Sequence, residues 1–213
     1  MCVKEKNMRN VFILGDSYST FAGYIPEGYS AYYPNLDVST VEQTWWMRLL
    51  LENGDRLLQN NSWSGSTIGY TGYDGIDCSK TTSFIYRYKR LKADGFFRQN
   101  HVDVIYIFGG TNDDWCGAPL GEPNDEPNEQ ALYFVLPAVC WLFQSLKADF
   151  PETEVIFILN TGLKTELTDG ICSAASRYGI KCVKLRDIDK IDGHPTAKGM
   201  ADIARQIAEG ERS

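Results

Sequence analysis

A serine and a histidine, far apart in the chain, carry the side chains best suited to nucleophilic catalysis. Ser17 stands in the run GDSY at positions 15–18, directly after a short apolar segment. A serine hydroxyl becomes a good nucleophile when a base removes its proton, and a histidine with a pKa near neutrality suits that task. The chain has two histidines, His101 and His194. These residue types predict acyl transfer through a serine.

Acyl transfer also needs hydrogen-bond donors aimed at the oxyanion of a tetrahedral intermediate. The candidates are the backbone N–H groups of Ser17 and Gly65 and the side-chain amide of Asn112. A glycine at 65 lets the backbone approach a substrate closely. Gly65 and Asn112 also have simpler interpretations, because a glycine can relieve the backbone strain of a turn and an asparagine can cap one. The catalytic interpretation is favoured because all three positions fall in the same region of the predicted fold.

Short apolar runs alternate with longer amphipathic ones, which is typical of crossover units that feed a parallel sheet. The predicted strands lie at 11–14, 57–61, 102–108, 154–159 and 180–185. The predicted helices cover 41–52, 84–93, 129–150, 165–178 and 196–209. Pro137 is expected to kink or divide the third helix. The chain is therefore predicted to be an α/β protein, with residues 1–213 as one domain.

Polar clusters follow the strands at the edge where an open parallel sheet binds its ligands. These clusters are predicted to face one another, and they lie at 15–18, 61–65, 109–113 and 189–195. His101 precedes the third strand, which places it at the opposite edge of the sheet. His194 follows the last strand, so it is the predicted base for Ser17.

The four blocks resemble those of the SGNH, or GDSL-like, hydrolase superfamily, in the family's order and over residues 11–200. They are GDSY at 15–18, Gly65, GTND at 110–113 and DGHP at 192–195. The resemblance implies a flavodoxin-like three-layer α/β/α sandwich with about five mainly parallel strands. It also implies a carboxylic ester hydrolase with Ser17 as nucleophile, His194 as base, and Gly65 and Asn112 as oxyanion donors beside Ser17.

The acid that orients the histidine departs from the family pattern. That acid normally stands three positions before the histidine, where this chain has Ile191. Asp192 is predicted to replace it, because it lies in the same short loop and can turn back toward the imidazole Nδ1. Asp189 and a main-chain carbonyl remain open as alternatives. Loss of the orienting acid in related triads costs roughly 10⁴ in rate, so the choice bears on activity.

Aromatic residues border the predicted crevice, and Tyr18, Trp63 and Trp115 are predicted to bind the substrate. Planar rings stack on sugar faces and phenolic hydroxyls bond to polar groups, although loop aromatics also simply pack loops down. We expect a small acyl ester, and specifically an acetyl ester of a carbohydrate. The alternative is a catalytically weak or inactive carbohydrate-binding protein of the same fold. A flavin or nucleotide binder is disfavoured by the lack of GxGxxG and GxxxxGK[ST] runs.

The charge composition of the chain limits the kinds of partner that we expect it to bind. Lys plus Arg number 21 and Asp plus Glu number 28, and the net charge of −7 predicts no binding to nucleic acid or to an anionic membrane. No segment approaches the roughly 20 apolar residues that a membrane-spanning helix needs. The polar start of the chain is unlike a signal peptide, so a cytoplasmic location is expected. A small-molecule ester is the predicted partner, and the oligomeric state is left open.

The six cysteines have neither CxxC spacing nor the density of a disulfide scaffold. They are interpreted as free thiols, although Cys172 and Cys182 flank a helix-to-strand connection and can meet. The two histidines fall at opposite edges of the sheet and no cysteine pair has ligand spacing, so neither a metal nor another cofactor is expected.

Overall fold

Five parallel strands form the central sheet in the computed structural model, which describes residues 8–211. The strands are β1 (Asn10–Gly15), β2 (Arg56–Ser62), β3 (Val104–Phe108), β4 (Glu154–Leu159) and β5 (Lys181–Lys184). Their order across the sheet is β2-β1-β3-β4-β5, and each neighbouring pair is parallel. Two-residue strands, β6 (Lys190–Ile191) and β7 (His194–Pro195), form a separate antiparallel hairpin. Five parallel strands agree with the predicted α/β fold.

Helices cover both faces of the sheet. The α-helices within residues 8–211 are α1 (Trp45–Asn53), α2 (Phe84–Ala93), α3 (Phe96–Gln99), α4 (Thr111–Trp115), α5 (Val135–Asp149), α6 (Thr165–Arg177) and α7 (Ala197–Glu211). Alternate residues of a strand point to opposite faces. In β1, Val11 and Ile13 pack with α1 and α7, whereas Phe12 and Leu14 pack with α2, α5 and α6. The two apolar cores confirm the three-layer α/β/α sandwich.

Two predicted helices begin later than expected. The helix predicted at 129–150 starts at Val135, so Pro137 lies in its first turn, where the missing N–H costs no hydrogen bond and no kink follows. The helix predicted at 41–52 begins at Trp45, because Thr44 is the N-cap and its side chain accepts from the Met47 N–H at 3.3 Å. The start of α1 is thus set by a side-chain cap, whereas α5 begins after Phe134 without one.

The long irregular segments 18–39 and 62–82 lie around the carboxyl edge of the sheet. Within the first, the Tyr33 hydroxyl donates to the Pro195 carbonyl at 2.7 Å, and the Tyr32 N–H donates to Thr20 Oγ1 at 2.8 Å. The first segment is thereby fastened to the β6–β7 hairpin. Cys2, predicted as a free thiol, lies outside the described residues. In residues 8–211, no helix is long and apolar enough to cross a membrane.

Candidate active site

Ser17 lies in a tight turn directly beyond β1. A short 3-10 turn spans Ser17–Ser19, and the Asp16 carboxylate caps it by accepting from the Tyr18 N–H at 3.0 Å. Burial raises the pKa of Asp16 to about 7. A Cβ at Gly15 would lie 2.7 Å from the hydroxyls of Ser19 and Ser62, so only glycine fits between these loops. The turn thus presents the hydroxyl at the carboxyl edge of the sheet.

His194 reaches Ser17 from the β6–β7 hairpin. Its Nε2 lies 3.0 Å from Ser17 Oγ, across 177 positions of sequence. The hairpin closes over Asp192 and Gly193, which both have positive φ (48° and 79°), as a two-residue type I′ turn requires. An Asp-Gly pair is a typical sequence for that turn. The hairpin therefore sets the place of the imidazole.

The imidazole is oriented by a main-chain carbonyl. His194 Nδ1 lies 3.3 Å from the carbonyl oxygen of Asp192, while the Asp192 side chain is exposed. This differs from the prediction that the Asp192 carboxylate turns back to Nδ1. The tight turn brings the carbonyl two residues back onto the ring instead. The other acid that remained open, Asp189, accepts a hydrogen bond from Thr196 Oγ1 just before α7.

Aromatic rings and a lysine surround the same imidazole. Tyr32 stacks on His194 with ring centroids 3.6 Å apart and planes 7° from parallel, and Trp115 meets it edge-on at 5.8 Å. Burial lowers the pKa of His194; the Asp192 carbonyl raises it, and the charge of Lys190 lowers it further. The surroundings therefore favour the neutral imidazole, which is the form that accepts a proton.

Asn112 lies in α4 beside the serine turn and is buried. Its Nδ2 donates to the Ser66 carbonyl at 3.0 Å, and its Oδ1 accepts from the Tyr73 hydroxyl at 2.8 Å. A primary amide carries two N–H donors, so the contact with Ser66 uses only one of them. The bond from Tyr73 fixes which end of the amide is the donor. These contacts hold the amide where it can donate to an oxyanion.

Gly65 lies exposed on the loop that follows β2. Its φ of 80° favours glycine, and a Cβ there would meet nothing within 4 Å. The backbone conformation at this position therefore favours glycine, and the space beside its Cα is open. Asp113 fixes the end of this loop by accepting from the N–H groups of Ile68 (3.0 Å) and Gly69 (3.4 Å). Burial raises the pKa of Asp113 to about 6.

Tyr18 is not placed to contact a substrate, contrary to the prediction. The side chain is completely buried. Its hydroxyl donates to the Gly193 carbonyl and accepts from Asn160 Nδ2 at 2.8 Å. Tyr18 thus supports the turn that carries His194. The sequence could not separate this role from binding, because both need an aromatic residue next to Ser17.

The two tryptophans predicted to bind substrate lie at the surface of the site. Trp115 is 43% exposed, and a Cβ at Gly193 would lie 3.0 Å from its ring, so it covers the histidine turn. Trp63 stacks on Tyr29 with centroids 4.2 Å apart. The rings of Trp63 and Tyr29 border an open groove of about 480 Å³ that runs beside β2 and α2, and Trp115 is not among its lining residues. Lys80 and Arg90 also line this groove.

Sequence reasoning missed a buried arginine beneath the serine turn. Arg87 of α2 is fully buried and donates to the Gly15 carbonyl at 3.1 Å, to the Asn61 carbonyl, and to Ser66 Oγ at 3.0 Å. Burial lowers its pKa to about 9. The signal in the sequence is an arginine on the apolar side of α2, between Phe84 and Tyr88. Its bonds join the end of β1 to the end of β2 and to the loop that follows β2.

A second unpredicted group is Lys190, which lies on the other side of the site. Its Nζ donates to Asn160 Oδ1 at 2.8 Å and to Thr161 Oγ1 at 2.7 Å, and burial lowers its pKa to about 8. Asn160 in turn bonds Tyr18, so Lys190 joins the support of the histidine turn. Within residues 8–211, no group of three or more His, Cys, Asp or Glu side chains is placed to hold a metal ion.

Residues 9–210 match the model of a family described as GDSL-like lipase/acylhydrolase. A GDSL-like lipase from Bacteroides ovatus is 41% identical, with a TM-score of 0.89 over 97% of this chain and 99% of that one. One from Bacteroides uniformis is 40% identical, with a TM-score of 0.88 over 96% and 95%. An acetyl xylan esterase from Butyrivibrio proteoclasticus shares the fold at 17% identity, with a TM-score of 0.60 over 96% of this chain and 63% of that chain. No curated protein matches the chain.

The sandwich fold, the loops that meet at its carboxyl edge and the family match together define the class of the protein, a carboxylic ester hydrolase. Within that class, the chain belongs to the GDSL-like lipase/acylhydrolase family.

Proposed function

We propose that the protein hydrolyses small acyl esters, specifically acetyl esters of carbohydrates, through an acyl-enzyme formed on Ser17. The observation that carries the proposal is the 3.0 Å separation between Ser17 Oγ and His194 Nε2. This is the hydrogen-bond distance that a nucleophile and its general base need. The proposal further rests on donors from two other loops that lie at the same edge of the sheet.

In the first half of the reaction, Ser17 Oγ attacks the ester carbonyl and His194 Nε2 takes its proton. Nδ1–H then donates to the Asp192 carbonyl, which fits the tautomer that leaves Nε2 free to accept. The oxyanion accepts from the N–H groups of Ser17 and Gly65 and from the Asn112 amide. His194 returns the proton to the leaving alkoxide as the tetrahedral intermediate collapses. The products of this half are the free alcohol and the acyl-serine.

In the second half, water replaces the alcohol and His194 takes its proton as the oxygen attacks the acyl-serine. Collapse of the second intermediate breaks the bond to Ser17 Oγ, which recovers its proton from His194. The carboxylic acid leaves and the serine is regenerated. A neutral carbonyl stabilises the imidazolium less than a carboxylate would, which is consistent with the lowered pKa of His194.

A small acyl group fits the crowded surroundings of the base. The rings of Tyr32, Tyr18 and Trp115 have their centroids within 3.6 to 5.8 Å of the imidazole. Rings that pack so closely on the base favour a short acyl chain beside it. An acetyl group is the smallest common acyl group, and we therefore assign it to the proposed substrate.

The groove bordered by Trp63 supports a sugar as the alcohol part of the ester. Its volume of about 480 Å³ falls in the usual range for ligand sites, and Tyr29 and Tyr86 also line it. Trp63 lines the groove and precedes Gly65 by two positions in the same loop. Aromatic faces and phenolic hydroxyls suit the apolar faces and hydroxyls of sugars.

The test is hydrolysis of 4-nitrophenyl acetate and of acetylated xylo-oligosaccharides by the wild type and by Ser17→Ala. We expect the variant to lose at least about 10³-fold in kcat, because the nucleophile is absent. Ser176→Ala, an exposed serine on α6, is the matched control and should keep wild-type turnover. A fluorophosphonate should add its mass to the wild type at Ser17 and to no other serine. Undiminished turnover in Ser17→Ala would overturn the mechanism.

The orientation of His194 by a carbonyl favours one alternative, a weakly active or inactive protein that binds carbohydrate. The same measurements separate the two functions. Saturable binding of acetylated oligosaccharides without turnover and without labelling of Ser17 supports the alternative. Turnover that depends on Ser17 supports the esterase.

A further inference from the structure

Two cysteine thiols lie in contact on the side of the molecule formed by α6 and β5. Cys172 Sγ and Cys182 Sγ are 3.2 Å apart, and both residues are half-buried. Neither is among the residues that carry or support the proposed active site. In the structure both cysteines are free thiols. Sulfur atoms this close need only small side-chain rotations to form a covalent bond.

The backbone holds the two cysteines together. The connection from α6 to β5 has the hydrogen bonds of a Schellman motif, with Gly179 N–H to the Ser176 carbonyl at 3.2 Å and Ile180 N–H to the Ala175 carbonyl at 2.8 Å. Gly179 has the positive φ of 63° that this motif requires. The motif returns the chain sharply from helix to strand, so the two cysteines, ten positions apart, meet without any rearrangement of the fold.

The two thiols have different surroundings. Lys184 lies next to Cys172, and the interaction with this cysteine is the largest cause of the raised pKa of the lysine ammonium. The thiolate is the form of a cysteine that attacks a disulfide. Cys182 instead has a pKa raised by burial and by its neighbour Cys172. Cys172 is therefore the better attacking thiol and Cys182 the better resolving thiol.

We propose that Cys172 and Cys182 form a thiol–disulfide exchange site, whose oxidant is a small disulfide such as oxidised glutathione. The Cys172 thiolate attacks one sulfur of the oxidant, forming a mixed disulfide and releasing one small thiolate, which takes up a proton. Cys182 then loses its proton and attacks Cys172 Sγ, which expels the second small thiolate. The two protein thiols are oxidised to one disulfide, and the small disulfide is reduced to two thiols.

The disulfide would join α6 to β5 across a short loop. Closing a loop of about ten residues restricts the unfolded chain, and in a protein of this size the expected rise in Tm is about 5–10 °C. The site lies apart from the proposed machinery, so ester turnover should be the same before and after oxidation. The readouts are thus independent of the proposed esterase function.

The experiment incubates the reduced full-length protein with oxidised glutathione and follows intact mass, peptide mass and Tm. We expect the loss of two hydrogen atoms, a peptide linking Cys172 to Cys182, and the rise in Tm. Cys172→Ala and Cys182→Ala should each abolish all three changes while the reduced variants keep wild-type turnover. Cys78→Ser, a cysteine outside the pair, should retain them.

The single variants also test the order of attack. Cys182→Ala should accumulate a mixed disulfide with glutathione on Cys172 faster than Cys172→Ala does on Cys182. Persistent mixed disulfides on the wild type, a linked peptide involving other cysteines, or an unchanged Tm after oxidation would overturn the proposal.

Discussion

The two sides of the candidate site are held in different ways. On the side of the serine and the oxyanion donors, buried charged groups hold backbone atoms: Arg87 bonds the ends of β1 and β2, and Asp113 bonds the segment after Gly65. On the histidine side, the imidazole is held by a stacked tyrosine ring and a main-chain carbonyl. Charged groups bond the backbone on the serine side, whereas a tyrosine ring and a neutral carbonyl contact the imidazole, and the nearby charge of Lys190 disfavours its protonation. One side of the site therefore fixes the position of the backbone, and the other side carries the group that transfers the proton.

Removing the buried charge on the first side should have the largest effect. Arg87→Leu removes the charged donor to the carbonyls of Gly15 and Asn61 in a buried region, and we expect a loss of about 4 kcal/mol in the free energy of unfolding. Urea denaturation measures it. Arg90→Leu, three residues on and exposed, should leave the denaturation midpoint close to the wild type. Equal midpoints for the two variants would contradict the positioning role of Arg87.

The second largest effect is expected when the side-chain donor to the oxyanion is removed. Asn112→Ala should lower kcat by about 10²–10³ with little change in KM, because the amide acts on charge that develops in the transition state. Tyr73→Phe keeps the amide and loses only the bond that orients it, so its loss in kcat should be smaller. Steady-state kinetics on 4-nitrophenyl acetate measure both. A loss in Tyr73→Phe as large as that in Asn112→Ala would show that the amide itself is not the donor.

On the histidine side, the expected effect is on the pH profile. His194 must be neutral to act as a base, so kcat/KM falls as pH falls through its pKa. Burial and then the charge of Lys190 lower that pKa below its usual value. Lys190→Met removes the positive charge, and the acid limb of the profile should therefore move to higher pH. Lys198→Met, an exposed lysine on α7, is the control and should leave the limb in place.

The smallest effect is expected for the aspartate that the sequence favoured as the orienting acid. Asp192→Asn keeps the carbonyl that contacts Nδ1, so kcat should change by less than about threefold. Loss of a true orienting acid lowers kcat by roughly 10⁴. A loss of that size in Asp192→Asn would show that the carboxylate contacts the imidazole during the reaction, and the contrast between the two sides would fail.

The sequence predicted the parallel sheet and the edge at which its loops meet, because short apolar runs alternate with longer amphipathic ones and polar clusters follow the apolar runs. It also pointed to Ser17, Gly65, Asn112 and His194, since each lies in a short run tied to the end of a predicted strand. The structure brings Ser17 and His194 together as that argument expected. The catalytic roles of these residues remain predictions.

The contacts that support those residues were beyond reach of the sequence. The burial of Tyr18 and the five side-chain hydrogen bonds of Arg87 depend on how distant segments pack, which no local pattern encodes. The choice between the carboxylate and the carbonyl of Asp192 depends on the φ of a single turn residue. Local sequence patterns predicted where the strands and helices lie, whereas the contacts of each side chain depend on how the whole chain packs.

The two-residue turn at Asp192 and Gly193 makes chain length at this point more critical than side-chain identity. In the hairpin, Ile191 pairs with His194, and successive residues point to opposite sides. Inserting or deleting one residue in the turn would therefore aim the ring away from Ser17 even if every other amino acid were kept. Such an insertion or deletion would abolish ester hydrolysis while the sheet, the helices and the serine turn remained folded.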